Sequence, residues 1–185
     1  MSKSGSKAND STTAHSGTAA SKTESSATKT NKAGTGKVRQ NLSRARSQAR
    51  RCVMQALYQW QLTAQSYDEI LAQFVEREEY SSADGAYFSE LLNGSILQQP
   101  QLAARIAEFA DRPWEQLDPI ERAVLLLSMY ELTNRLDVPY RVVVNEGVEL
   151  AKQFGATDGY KYINALLDRA SIELRALERA RKAAN

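Results

Sequence analysis

The sequence holds few of the residues that most often build disulfides, metal centres or covalent catalytic sites. Its 185 residues include one cysteine, Cys52, and one histidine, His15. A single cysteine forms no disulfide or thiolate cluster within one chain, and His15 precedes the apolar part of the sequence, so the predicted folded part has no imidazole. We therefore predict no catalytic residue, no metal site and no cofactor.

Long apolar runs are also absent. No segment near the N-terminus resembles the apolar core of a signal peptide, and none approaches the roughly 20 residues that span a membrane. No segment alternates apolar and polar residues as a half-buried strand does, and the four prolines all fall between apolar segments. We expect a cytoplasmic protein without a membrane partner.

Charge and apolar residues are divided unevenly along the chain. Residues 1–42 are mainly Ser, Thr, Ala, Gly, Lys and Asn, which bury too little apolar surface to offset the entropy of ordering. We predict a disordered tail over 1–42 and one helical domain over 43–185. Residues 1–51 carry 11 Lys or Arg and two carboxylates, a net charge of +9, whereas the rest carries 13 and 20, a net −7. A basic arm on an acidic domain is typical of nucleic-acid binding, and a solubilising tail fits the composition equally well.

Apolar residues after position 43 recur at helical spacing. The first helix carries its apolar stripe at Val53, Ala56, Leu57 and Trp60. Capping residues predict later helix starts at Ser66, at Ser81 or Asp84, and at Asp118-Pro119-Ile120-Glu121. The run from Ala123 to Leu132 is apolar on almost every side, as in a helix at the centre of a bundle. The pattern predicts an all-α protein of about seven helices, the last running unbroken from about Asp158.

Four arginines lead directly into the first apolar helix: Arg44, Arg46, Arg50 and Arg51. Cations in the first turns are unfavourable because the helix dipole places partial positive charge there, and phosphates would offset that cost. A frayed, solvated helix end is the other interpretation, and charge alone does not separate RNA from DNA. We place these side chains outside the core, so replacing Arg44, Arg46 and Arg50 is expected to weaken nucleic-acid binding without unfolding the protein.

Aromatic residues are the second group of candidates. Tyr58 lies two turns beyond Arg51, although packing in the core is the alternative for it. Tyr160 and Tyr162 flank Lys161, a basic and aromatic alternation that is suited to stacking on bases. Tyr162 also fits the inward stripe of the last helix, so both interpretations stay open for it.

Several segments match a known family in the order in which they occur. They are Arg50 to Leu62 (RRCVMQALYQWQL), Tyr87 to Leu92 (YFSELL), Ile120 to Leu125 (IERAVL), Tyr130 to Leu132 (YEL), Asp137 to Tyr140 (DVPY), Val144 to Glu146 (VNE), Glu149 to Gly155 (ELAKQFG) and Asn164 to Asp168 (NALLD). Together they resemble the NusB family of transcription antitermination factors over about Arg44 to Ala170. Ser47 and Gln48 depart from the pattern, since many relatives carry arginine there.

This resemblance implies a fold, a ligand and a partner. It implies two packed three-helix bundles with an extra helix, and binding to the boxA element of ribosomal-RNA operon transcripts. Binding would occur jointly with small-subunit ribosomal protein ten (NusE), within the transcription elongation complex. By position, the resemblance implies RNA contacts at Arg46, Arg50, Tyr58, Asp158, Lys161 and Tyr162, and contact with the ribosomal partner at Glu121. Arg44 is an RNA-binding candidate because of its charge. The resemblance leaves a monomer and a homodimer both open.

Two other functions remain as alternatives. One is a stand-alone relative of the N-terminal RNA-binding domain of an rRNA cytosine methyltransferase family, in which a similar helical domain precedes the catalytic domain. Only the binding half could be present, because this sequence has no Rossmann-like glycine loop and no catalytic cysteine motif. The other alternative is a helical protein-interaction scaffold with a solubilising tail. Charge-neutral replacement of the arm's arginines separates the scaffold from the RNA-binding protein, because only the second would lose affinity for RNA.

Overall fold

A computed structural model describes the backbone of residues 28–183 and the side chains of residues 36–181. The chain divides into two units, residues 1–36 and 37–185, and the packing below is that of the second. Eight α-helices lie within the described residues: α1 Thr28–Thr63, α2 Tyr67–Val75, α3 Gly85–Leu97, α4 Gln99–Ala107, α5 Pro119–Asn134, α6 Tyr140–Phe154, α7 Gly159–Leu174 and α8 Ala176–Ala183. Short 3-10 helices occupy Glu78–Ser82 and Trp114–Gln116. No strand occurs in this range, so the predicted all-α class is confirmed.

Helix α1 begins earlier than the sequence pattern predicts. Of the predicted tail, residues 1–27 lie outside the described residues, whereas residues 28–42 are helical. The side chains of residues 36–44 are exposed, so this part of α1 has no apolar stripe to reveal it. Adding a residue to an existing helix costs far less than starting a new one, and Lys, Arg and Gln favour the helical state.

Helix α5 lies at the centre of the fold. Its ten residues from Ala123 to Leu132 are all buried, as the apolar run predicts. Helices α5, α6 and α7 pack on one another, α3 and α4 also pack on α5, and α2 packs on α3. The predicted central helix is therefore confirmed.

Side-chain caps begin the helices where the sequence predicts them. Ser66 and Glu69 form a capping box at the start of α2, and Asp118 and Glu121 form another at the start of α5. Asp84 accepts a hydrogen bond from the amide of Tyr87 and so caps α3. Each cap satisfies backbone amides that have no partner within the helix.

The last predicted helix is in fact two helices. The chain leaves helical geometry at Arg175, with φ −124° and ψ 32°, and α8 begins at the next residue. The guanidinium of Arg175 turns inward at this break and donates hydrogen bonds to backbone carbonyls at the end of α5 and just beyond it. Sequence periodicity misses the break because its cause is a contact with residues far away along the chain.

A close approach of α3 to α5 leads to the first prediction. Gly94 lies against the ring of Tyr130, and a Cβ at this glycine would overlap the ring atoms. Gly94→Ala is therefore expected to lower the free energy of unfolding by about 3 kcal/mol, the upper part of the range for overpacking. Urea unfolding followed by circular dichroism measures this loss.

Gly36 provides the control for that experiment. It lies in α1, and no other group comes within 4 Å of the position that a Cβ would take there. Gly36→Ala is therefore expected to be neutral or to stabilise by about 0.5–1 kcal/mol. Equal effects of the two substitutions would contradict the packing described for Gly94.

Candidate nucleic-acid interface

One face of α1 carries a stripe of polar and aromatic side chains along its length. We call this the outer stripe; its members are Arg44, Gln48, Arg51, Gln55 and Tyr58. Their spacing of four and three residues keeps them on the same side of the helix. Arg44, Arg51 and Tyr58 are exposed, Tyr58 by 38%. The stripe is long enough to follow an extended ligand.

Two depressions border the outer stripe. The first, of about 370 Å³, lies between α1 and α6 and is lined by Arg44, Gln48 and Arg51 on one side and by Asn145, Glu149 and Gln153 on the other. The second, of about 580 Å³, holds Tyr58 and Gln55 together with Arg77, Ile120 and Phe154. Helix α6 thus forms the opposite wall along both depressions, through its later turns and its end.

The two exposed arginines of the stripe are available to a ligand. Within residues 36–181, neither Arg44 nor Arg51 takes part in an ion pair. They lie seven residues apart, about 10 Å along the helix axis at 1.5 Å per residue. An unpaired guanidinium can bind phosphate oxygens through two parallel hydrogen bonds. The sequence places Arg51 among the four arginines that lead into the first helix, but the RNA contacts implied by the resemblance do not include it.

Arg50 does not lie on this surface, which corrects its predicted placement outside the core. It is 2% exposed, and it donates to both carboxylate oxygens of Glu131, from Nε at 2.8 Å and from Nη2 at 2.7 Å. Nη2 also donates to the hydroxyl of Tyr87 at 2.8 Å, and that hydroxyl donates to Glu131. Burial by itself lowers the pKa of Arg50, but the hydrogen bonds and charge of Glu131 outweigh it, so the pKa is raised.

Tyr87 completes this buried cluster. Burial, and then the charge of Glu131, raises the pKa of Tyr87 well above its ordinary value, so the hydroxyl keeps the proton that it donates. The guanidinium groups of Arg46 and Arg135 each lie 4.7 Å from the centre of the Tyr87 ring. The cluster therefore joins α1, α3 and α5 in the interior.

Arg46 occupies an intermediate position. Its side chain is 27% exposed, and it lies 3.7 Å from Asp84 and 3.5 Å from Asp137, beyond the length of a strong ion pair. Its Nε is buried and has no hydrogen-bond acceptor among the described residues. Contact with the ring of Tyr87 holds the Arg46 guanidinium in place, and this group contributes positive charge at the edge of the interface.

A signal for these inward positions is present in the sequence. Arg46 and Arg50 continue the apolar stripe of Val53 and Leu57 backwards at the same helical spacing. Glu131, within an otherwise apolar run, needs a buried partner for its charge. Read together, the two observations point to an arginine that faces the core.

The start of α7 provides the second predicted RNA-facing stretch. Asp158 precedes the helix with φ 72°, and its carboxylate forms a 2.7 Å ion pair with Lys161, both side chains being well exposed. Lys152 and Lys161 lie 5.5 and 5.9 Å from the ring of Tyr160. Tyr160 is thus the aromatic ring that two cations approach here. The sequence pattern names it as a stacking candidate, although the RNA contacts implied by the resemblance do not include it.

Tyr162 lies differently from Tyr160. Its ring is covered by the guanidinium of Arg112 at 4.3 Å, and its hydroxyl is buried without a hydrogen-bond partner among the described residues. Burial raises the pKa of Tyr162, so the hydroxyl remains protonated. Of the two interpretations left open for Tyr162, the structure favours packing.

Glu121 lies close to this second stretch. Its carboxylate accepts a hydrogen bond from the amide of Asp118 at 3.2 Å, and its other oxygen would lie 3.4 Å from a Cβ on Gly159. The capping role inferred from the sequence is therefore confirmed. The same contacts place the carboxylate between the beginnings of α5 and α7.

Two further properties concern the described residues as a whole. No group of three His, Cys, Asp or Glu side chains within them is arranged to hold a metal ion. Among the helices that the structure describes, none combines the length and apolar character required to cross a membrane.

Comparison with known proteins identifies close relatives. The transcription antitermination protein NusB of Pseudomonas savastanoi pv. phaseolicola is 47% identical over 136 residues, which cover 74% of this chain and 82% of that protein. The corresponding NusB of Alcanivorax borkumensis is 46% identical over 134 residues, covering 72% and 89%. That of Paraburkholderia xenovorans is 50% identical over 131 residues, covering 71% and 91%.

The fold and the family pattern agree with these relatives. A solved structure of T. maritima NusB superposes with a TM-score of 0.62 at 24% identity, covering 69% of this chain and 90% of that one, and so supports the fold. Residues 47–171 match the sequence model of the NusB family, a range that includes most of the outer stripe and the start of α7. The chain therefore belongs to the NusB family.

Proposed function

We propose that this chain is an RNA-binding transcription antitermination factor. Its ligand is the boxA element of ribosomal-RNA operon transcripts, which it binds together with small-subunit ribosomal protein ten (NusE) in the transcription elongation complex. Membership of the family and the names of the relatives support antitermination as the process. The ligand and the partner follow from the resemblance, and the surface chemistry of the chain agrees with them.

The outer stripe is the observation that carries this proposal. Arg44 and Arg51 are exposed and unpaired within the described residues, and Tyr58 follows them on the same helix face. Phosphate contacts from arginine and stacking on an aromatic ring are the two main elements of single-strand recognition. A solubilising surface would need the charge but not the aromatic ring aligned with it.

A second set of contacts extends the proposed interface onto α6 and α7. Phe154 at the end of α6 shares a depression with Tyr58, and Lys152 and Tyr160 lie close to it along the chain. In this proposal the strand passes along the outer stripe and then meets Tyr160 and Lys161, with Asp158 holding Lys161 in place. Arg46, Arg50 and Tyr162 then support the interface from within.

Glu121 is the proposed contact with the ribosomal partner. Its carboxylate is already held by the capping box, so it is presented in one orientation at the start of α5. A basic side chain of the partner can pair with it without breaking the cap, because a carboxylate accepts several hydrogen bonds.

The salt dependence of RNA binding tests the proposal. If the interface neutralises about five phosphates of a single strand, log affinity falls with log salt at a slope near −3.5. The double variant Arg44→Gln/Arg51→Gln removes two of these contacts and is expected to bring the slope to about −2. Fluorescence anisotropy of a labelled boxA RNA and of a shuffled RNA, with and without the ribosomal protein, measures both affinity and slope.

Arg181→Gln is the matched control, because it removes one exposed charge from α8, away from the outer stripe. We expect its affinity and slope to equal those of the unmodified chain. Tighter binding to boxA than to shuffled RNA, strengthened by the partner, supports the proposal. Equal weak binding to both RNAs, unaffected by the double variant, would favour the scaffold instead.

A further inference from the structure

A third depression lies where the end of α1 meets the start of α5 and does not involve the outer stripe. We call it the tryptophan cleft. It encloses about 370 Å³ and is lined by Trp60, Gln61, Ala64, Gln99, Trp114 and Arg122. Trp60 and Arg122 lie two residues from Tyr58 and Ile120, respectively, of the second depression. A step of two residues turns about 200° around a helix, so each pair points to opposite sides.

Arg122 is the unusual residue of this cleft. Its Nε is buried and has no hydrogen-bond partner among the described residues, and no carboxylate among residues 36–181 forms an ion pair with it. Its guanidinium lies 5.9 Å from the centre of the Trp114 ring. The dipole of α5 does not favour a cation near the start of the helix, and no ion pair within the described residues compensates this charge.

The composition of the cleft fits a protein partner. Trp and Arg are the residues that most often contribute a large share of the binding energy in protein interfaces. Both tryptophans are half-buried against the core, so they are held in place before a partner arrives. A shallow cleft with two fixed aromatic rings and one unpaired guanidinium is suited to receive an acidic side chain with its apolar stem.

Nearby charge disfavours RNA as the occupant. Glu115, Asp118 and Glu121 lie within a few residues of Trp114 or Arg122, and the first two are exposed. A phosphate backbone would meet these carboxylates, whereas a protein can place one carboxylate on Arg122 and basic groups around it. Glu121 and Arg122 together present adjacent charges of opposite sign.

We propose that the tryptophan cleft is a docking site for an aspartate or glutamate side chain of the ribosomal partner, which pairs with Arg122 between the two indole rings. This inference rests on the proposed partner. It extends the contact from Glu121 to the adjoining side of the start of α5, about 100° further around the helix. In this arrangement the partner contacts both Glu121 and Arg122, which are adjacent and of opposite charge.

Isothermal titration calorimetry with small-subunit ribosomal protein ten, in the absence of RNA, tests the inference. Arg122→Gln and Trp114→Ala are each expected to weaken binding about 30-fold, the effect of losing an interface hot spot. Gln99→Glu is the variant that preserves the fold, because a carboxylate at the start of α4 suits the helix dipole. It supplies Arg122 with an internal partner and is expected to weaken docking about tenfold.

Gln101→Glu is the matched control, since it makes the same change two residues later on the exposed side of α4 and does not line the cleft. We expect it to bind as the unmodified chain does. A charge reversal extends the test: an acidic residue of the partner changed to arginine should restore binding to Arg122→Glu.

The outcomes separate the inference from the proposed function. If the unmodified chain does not bind the ribosomal protein, the proposed partner is wrong and the inference falls with it. If the unmodified chain binds and Gln99→Glu and Trp114→Ala bind equally well, the inference alone is overturned. Loss of RNA affinity in these variants, with affinity for the protein unchanged, would also overturn it and identify the cleft as an RNA site.

Discussion

Replacement of Arg50 by methionine is expected to lower the free energy of unfolding by about 3–5 kcal/mol. The substitution leaves the carboxylate of Glu131 buried at 1% exposure, without the two hydrogen bonds that Arg50 donates to it. Loss of one partner of a buried ion pair typically has a cost of this size, because the remaining charge is neither solvated nor paired. Tyr87 still donates one hydrogen bond, which is too little to satisfy a carboxylate.

Urea unfolding followed by circular dichroism measures the effect, and the neighbouring arginine provides a matched control. Arg51→Met makes the same chemical change on the exposed face of the same helix and is expected to alter stability by less than about 0.5 kcal/mol. The double variant Arg50→Met/Glu131→Leu removes both charges and should recover most of the loss. Equal unfolding midpoints for the Arg50 and Arg51 variants would show that the pair is not buried as described.

The loss of stability expected for Arg50→Met changes how RNA-binding variants of the arm are interpreted. The sequence alone leads to the expectation that Arg44, Arg46 and Arg50 can be replaced without unfolding. The structure keeps that expectation for Arg44, which is exposed and unpaired in the described part of the chain. An Arg50 variant that loses RNA affinity reports mainly on the stability of α1, so Arg44 and Arg51 are the informative positions.

Replacement of Arg175 by alanine is expected to lower the free energy of unfolding by about 3 kcal/mol. The guanidinium is 4% exposed and donates to the carbonyls of Glu131, Leu132, Arg135 and Val138, at distances of 2.7–3.2 Å. These carbonyls lie at the end of α5 and in the turn that follows. Those of Glu131 and Arg135 also accept hydrogen bonds from backbone amides, those of Arg135 and Val138, whereas Leu132 is among the last residues of α5, where helix geometry leaves carbonyls without an amide partner. Loss of a charged donor that serves several buried acceptors exceeds the effect of one ordinary hydrogen bond.

The Arg175→Ala substitution should also affect the start of α6. Arg175 pairs with Glu178 at 3.0 Å, and Glu178 accepts from the amide of Tyr140 at 3.1 Å, in the first turn of that helix. Amide hydrogen exchange is therefore expected to become faster at Tyr140 in the Arg175→Ala variant, in addition to the lower unfolding midpoint. Arg175→Lys should recover about half of the stability, because one ammonium cannot reach carbonyls on both sides as a planar guanidinium does.

Arg181→Ala, on exposed α8, is the control for this pair of variants and should leave both measurements unchanged. If Arg175→Ala unfolds at the same urea concentration as Arg181→Ala, the carbonyl contacts do not stabilise the fold. Faster exchange throughout the chain without a specific change at Tyr140 would contradict the link through Glu178.

Sequence signals within a few residues of one another were sufficient to predict most of the helices. Asp118, Pro119 and Glu121 define the start of α5 through groups no more than three residues apart, so the sequence predicts it directly. The apolar run from Ala123 to Leu132 places this helix at the centre because no face of it can meet water. The break at Arg175 escapes such rules, since the residue itself is compatible with a helix and its hydrogen-bond acceptors lie in another part of the chain.

The residues of the candidate site also divide into those that short-range sequence signals identify and those whose position depends on distant contacts. Net charge identifies the basic arm, but charge alone treats Arg44, Arg50 and Arg51 as equivalent. Helical geometry separates them by direction, and only the position of Glu131, 81 residues from Arg50, makes the inward direction stable for an arginine. Tyr160 and Tyr162 likewise differ by two residues in sequence, and Arg112 from a distant loop covers one of them.

By itself, the sequence determined the helical class, the starts of α2 and α5, the central position of α5, and the presence of a basic arm with aromatic residues near it. These properties depend on residue type and on spacing within a few turns. Only the tertiary structure decided which distant groups Arg50 and Arg175 meet in the interior, that two lysines lie close to the ring of Tyr160, and that Arg122 forms no ion pair among the described residues. Such properties depend on which groups meet across the fold, because a buried charge is stable only where a distant residue satisfies it.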